Sequence, residues 1–169
     1  MKWIVIALSA LLLIMTIWLT IIGEVLVNES APLGIVSFEL AHNKATSVAI
    51  LDSWSSHAKA IAMLVQGIDF LYLFVYPAFF AVCCYLLGKK LNAIWFVIGR
   101  GISFISPLAG ILDAVENYAL IQQLFYGAND SMAALAYLTA VPKFAIVILA
   151  IVYILMALLL LLVRRFRSS

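Results

Sequence analysis

Four apolar stretches constrain this chain more than anything else in it: 3–23, 61–87, 102–126 and 139–163. A helix rises about 1.5 Å per residue and the hydrocarbon core of a bilayer is roughly 30 Å thick, so each stretch can cross as a helix. The composition agrees. Of the 169 residues, 67% are hydrophobic and 11% charged, with a mean hydropathy of +1.19, whereas a globular chain carries roughly a quarter charged residues. The expected fold is all-α, an integral membrane four-helix bundle forming a single membrane domain over 1–169, with little chain left for a soluble one.

The formal charge of +2 hides an asymmetry. Lys2 precedes the first span, Lys89, Lys90 and Arg100 lie around the second connection, and Arg164, Arg165 and Arg167 follow the last span. The connection 24–60 carries Glu24, Glu29, Glu39 and Asp52 against Lys44 and Lys59, and 127–138 carries Asp130 alone. Basic connections stay on the cytoplasmic side. Both termini and the Lys89 connection are therefore expected inside, with the long first connection and the Asp130 connection outside. The run from Trp3 to Ile22 exceeds the apolar core of a secretory signal and lacks a clear A-x-A cleavage site, so it reads as a retained first span. The basic tail reads as an anchor against anionic headgroups.

Cys83 and Cys84 are neighbours, a spacing unsuited to a disulfide or a chelating pair. Apolar packing is the expected role, with reversible acylation as the alternative. Asn28-Glu29-Ser30 and Asn129-Asp130-Ser131 fit the glycosylation sequon and fall outside, though so short a pattern arises often by chance. Between the first two spans, Ile35 pairs with Phe38 at i, i+3, and Val48, Leu51 and Trp54 recur at threes. That predicts two short amphipathic helices in an outer loop or lid over 24–60, with Trp54 suited to the membrane interface. His42 and His57 read as surface residues, and no metal site is expected.

An ionised side chain in a span persists only with partners or water, because it costs about 2.5–3.5 kcal/mol on insertion scales. Here there are four: Asp69 in the second span, Asp113 and Glu116 in the third, and Lys143 in the fourth. At the helical rise, Asp69 lies about 12 Å beyond Ile61, Glu116 about 15 Å and Asp113 about 20 Å before Tyr126, and Lys143 roughly 6 Å inside its span. Alternate helices run in opposite directions, so all four are expected at a common depth in the outer half. Phase agrees. Asp113, Glu116 and Asn117 form one stripe continued by Leu120 and Gln123, and Gln66, Asp69, Tyr72 and Tyr76 form another. Leu71, Phe74, Ile111, Leu112 and Val115 lie behind them, toward lipid or tight packing. Pro77 and Pro107 interrupt the same helices and each frees a carbonyl, for which Ser103 and Ser106 are nearby partners.

Carboxyls beside a lysine can bind an amine or a headgroup, act as an acid and base pair, or pass a proton. The expected site comprises Asp69, Tyr72, Tyr76, Asp113, Glu116, Asn117 and Lys143, with Glu39 completing it from the lid. The function read from it is binding of a small amphiphile or lipid headgroup. Alternatives are a membrane-embedded acid/base enzyme, proton- or ion-coupled transport, and a structural subunit whose buried polar network sets helix register. No span holds the histidines of a di-iron bundle, no Gly-rich phosphate loop is present beyond the short Gly99-Arg100-Gly101, and no internal halves match as in many transporters. The expected partners are the bilayer and a lipid or amphiphilic small molecule; nothing marks a nucleic acid or a cofactor.

The segments Ser37-Phe38-Glu39-Leu40-Ala41, Gly67-Ile68-Asp69-Phe70-Leu71-Tyr72 and Asp113-Ala114-Val115-Glu116-Asn117 resemble those of small bacterial four-span membrane proteins. That likeness implies the bacterial cytoplasmic membrane and no particular activity. The layout is also similar to the EXPERA group of emopamil-binding sterol isomerases and sigma-receptor relatives. This resemblance implies an acidic membrane cavity that recognises cationic amphiphiles or shuttles a proton on a sterol. Asp69, followed by Pro77-Ala78-Phe79-Phe80, and Glu116 would take those parts, while Asp113, Asn117 and Lys143 depart from the pattern.

Overall fold

The computed structural model describes residues 2–167, and among them there are helices and no strand. Helix α1 spans Lys2–Gly23 and runs into a single 3-10 turn, Glu24–Leu26; α2 is Ile35–Glu39 and α3 Lys44–Ser53. Three long helices follow: α4 Ser56–Lys89, α5 Ala93–Tyr126 and α6 Asp130–Arg167. Among the described residues, four helical segments are long and apolar enough to cross a membrane: Lys2–Leu26, Ser56–Lys89, Ala93–Tyr126 and Asp130–Phe166. The chain is a helical-bundle membrane protein.

The last three helices begin well before their apolar runs because polar caps start them outside the hydrocarbon. Ser55 accepts the Ala58 amide at 3.1 Å, Asn92 the Trp95 amide at 3.2 Å and Asn129 the Met132 amide at 2.9 Å. At 34 residues, α4 and α5 are each roughly 50 Å long and outreach the bilayer core at their ends. They form the central pair; α6 packs mainly on α5, and α1 packs along α4. Alternate spans run antiparallel, which gathers Lys2, Lys89, Lys90, Arg164 and Arg165 at one end and α2 and α3 at the other. The Lys44 amide donates to Asp130 Oδ1 at 2.8 Å, joining the start of α3 to the start of α6.

The predicted lipid face is exposed, with Leu71 at 65%, Phe74 at 72% and Ile111 at 62%. These side chains would be unstable in water and are at home among acyl chains. Pro77 and Pro107 both sit inside continuous helices. Ser106 Oγ donates to the Ile102 carbonyl at 2.8 Å, one residue short of the Ser103 carbonyl that Pro107 frees. The Leu73 carbonyl freed by Pro77 is approached instead by Gly110, where a Cβ would lie 2.6 Å from that oxygen. Beside the two prolines an apolar cleft of 670 Å³ opens between α4 and α5.

At the α2–α3 end the short helices form a packed cap. Phe38, Ile50 and Trp54 join Leu26, Ala62 and Leu120 in one core. The expectation of an interfacial Trp54 is corrected here: it is 3% exposed, meets Phe38 edge-on at 5.5 Å, and its Nε1 donates to the Leu26 carbonyl at 2.9 Å. That carbonyl ends the 3-10 turn and lacks a helical partner, so the indole is drawn inward to supply one. Trp54→Phe is expected to leave it unpaired and to lower stability by about 1–3 kcal/mol. Thermal unfolding in mild detergent measures this, and an unshifted melting curve would remove the bond from the account.

The sequon asparagines have structural partners. Asn28 Oδ1 accepts the Ser30 and Ala31 amides in a turn, and Asn129 caps α6. His42 and His57 are both exposed, and the His42 ring meets Tyr137 edge-on. Cys83 and Cys84 are free and buried, Cys84 fully so, as packing residues are.

Candidate functional site

The polar cluster is built on Lys143, only 6% exposed near the first third of α6. Its Nζ donates to Glu116 Oε1 at 2.7 Å, Asp113 Oδ1 at 3.0 Å and Glu39 Oε2 at 3.2 Å, and lies 4.6 Å from the Phe144 ring centroid. An ammonium has three donors, and here each has a carboxylate. The two α5 acids arrive together because i and i+3 share a helix face. Glu39 arrives from the cap: α2 starts after Gly34, whose φ of 59° is open to glycine, and Phe38 is fully buried beside it. Anchored in this way, α2 turns its last residue toward the bundle.

The network continues sideways. Asn117 Nδ2 donates to Asp69 Oδ2 at 2.7 Å, tying α5 to α4, and the Tyr72 hydroxyl shares a 2.9 Å bond with Thr16 Oγ1, tying α4 to α1. Polar contacts therefore reach α1, α2, α4, α5 and α6 within one layer of the bundle. Several buried atoms in or near this layer make no hydrogen bond: Glu116 Oε2, the Tyr76 hydroxyl, Gln66 Nε2, Ser47 Oγ and both amide atoms of Gln123. Buried polar groups in such positions are commonly served by water or ligand.

A cavity of 460 Å³ opens onto this layer. Its polar wall is Glu39, Asp69, Asp113, Lys143, Tyr72, Tyr76 and Thr16; its apolar wall includes Leu12, Phe80, Val147 and Ile151. A second chamber of 570 Å³ shares Thr16, Val36, Glu39, Asp69 and Tyr72 with it and extends past Gln66, Thr20 and Glu24 beneath α2. Glu39 and Asp69 thus stand between the two chambers. Six of the eight residues named from sequence line the first cavity. Glu116 and Asn117, exposed by 0% and 1%, stand behind its wall: Glu116 bonds Lys143, and Asn117 holds Asp69. They support the lining rather than forming it.

Thr16, Phe80, Phe144 and the aliphatic wall were not among the expected residues. Thr16 carried a faint signal, since with Thr20 it sets two hydroxyls at i, i+4 on a largely apolar span. Among the described residues, no group of three or more His, Cys, Asp or Glu side chains could hold a metal ion. The acids instead face the ammonium and the cavity. Neither protein-family models, curated proteins nor solved structures provide a match to this chain.

Proposed function

We propose that the protein binds a small amphiphile with a basic head in the membrane-embedded cavity, the head meeting Asp69, Glu39 and Asp113. The observation that carries this reading is the cavity's two-sided wall, charged on one side and apolar on the other. Four carboxyls, Glu39, Asp69, Asp113 and Glu116, stand around one lysine. A cationic head offsets that excess, which an anionic headgroup would increase. Tyr72, Tyr76, Phe80 and Phe144 add ring faces suited to an ammonium. The positive-inside pattern supports placing the α2–α3 end outward.

Asp69 offers the sharpest test because its one hydrogen bond is accepted from Asn117. In Asp69→Asn the side-chain oxygen still accepts that bond while the charge is gone. The expected result is an unchanged melting temperature with binding of dodecyltrimethylammonium weakened about tenfold or more, read by native mass spectrometry from lipid nanodiscs. Equal binding by wild type and variant, or no binding by either, rejects this function. A purely structural network predicts the reverse pattern, a shifted melting temperature without a bound amphiphile.

A further inference from the structure

Resting on that reading, we infer that the seam between α1 and α6 is the lateral portal of the cavity and holds the apolar tail of the bound amphiphile. Three observations meet there. The cavity's apolar wall is contributed by α1 through Leu12 and by α6 through Phe144, Val147 and Ile151, on either side of the same space. Helix α1 packs along α4 and makes no comparable packing with α6, and it contains no buried residue. The seam lies between two membrane-spanning segments, Lys2–Leu26 and Asp130–Phe166, so its outer side is hydrocarbon.

A tail leaving the carboxylates by this route passes from an apolar wall into acyl chains without crossing a polar surface. The opposite direction is different. The chamber beneath α2 is mixed: Leu19, Ile21, Leu33 and Val65 line it beside Thr20, Glu24 and the Gln66 amide, whose Nε2 is buried and unpaired, so a tail turned that way lies against polar groups that the seam does not present. A ligand seated in this way has its head at Glu39 and Asp69 and its tail between Leu12 and Val147. Since the tail is in hydrocarbon both before and after binding, the seam adds little hydrophobic free energy and acts by shape. Its width, not tail length alone, sets which amphiphiles enter.

The experiment fills the seam and compares two probes on the full chain in lipid nanodiscs. Tetramethylammonium tests the head site, and dodecyltrimethylammonium tests head and tail together. In Leu12→Trp and Val147→Trp the long-tailed probe is expected to bind about tenfold more weakly, while tetramethylammonium binds as it does to wild type, which also shows that the variants are folded. Ile14→Trp, on the lipid-facing side of α1 at 64% exposure, is expected to change neither. Long-tailed binding within about twofold of wild type in both seam variants overturns the portal while leaving the head site standing. Failure of wild type to bind either probe removes the head site, and the portal with it.

Discussion

Lys143→Met is expected to lower the stability of the bundle by about 3–5 kcal/mol, the range found when one partner of a buried ion pair is removed and its counter-charge stays behind. The local structure explains why this site belongs there. Asp113 and Glu116 are 2% and 0% exposed, and both spend an oxygen on the Lys143 ammonium. Without it they must either take up protons or remain as unpaired charge in a low-dielectric layer. Glu39 loses its ion-pair partner too, so α2 is released from α6 and the cap over the α2–α3 end loosens. Circular dichroism melting in mild detergent should therefore show a large fall, with the loss concentrated in one cooperative step.

Removing the stranded counter-charges should reverse part of this loss. Replacing a whole buried ionic cluster by uncharged groups of similar shape is often neutral, because the desolvation of every charge is recovered at once. Adding Asp113→Asn and Glu116→Gln to Lys143→Met removes two of the three counter-charges and should restore part of the lost melting temperature, Glu39 alone staying unpaired. If the single variant melts like wild type, the lysine does not hold these helices together. If the triple variant is worse than the single, unpaired charge is not the cause of the loss.

The spans and the polar layer were legible because they rest on periodicities that a membrane enforces. Asp113, Glu116 and Asn117 must share a face of any helix, and the antiparallel order of successive spans brings Asp69 and Lys143 to their depth. Phase could not say how far into the wall each side chain stands. That is why Glu116 and Asn117 looked like lining and prove to be its support. Trp54 was misplaced for a related reason. Its pull inward comes from the unpaired Leu26 carbonyl, a consequence of the 3-10 turn between α1 and the cap. Thr16 was obscured by its apolar surroundings, since the i, i+4 pair of Thr16 and Thr20 carries no charge to mark it and the partner of Thr16, Tyr72, lies fifty-six residues away.

A second region left no periodic trace at all, and it yields the other large expected effect. At the basic end of the bundle the Tyr153 hydroxyl donates to the Trp95 carbonyl at 2.7 Å, joining α6 to α5. The space for that ring comes from Gly99. A Cβ built there would collide with the Tyr153 hydroxyl and lie 2.5 Å from the Cys84 backbone oxygen on α4. One obstacle is a side chain that could turn away; the other is backbone and cannot. Gly99→Leu should therefore force α4, α5 and α6 apart where they converge, costing about 3 kcal/mol or more, at or beyond the upper end of overpacked cores. Gly101→Leu is the matched comparison. It lies two residues on in the same helix, has nothing within 4 Å of its Cβ position and faces outward. There a leucine gains about 0.5–1 kcal/mol of helix propensity over glycine and should leave the melting temperature unchanged or raised. Equal behaviour of the two variants would mean that the contact of α4, α5 and α6 at Gly99 is not tight, and the anchoring role given to Tyr153 would fall with it.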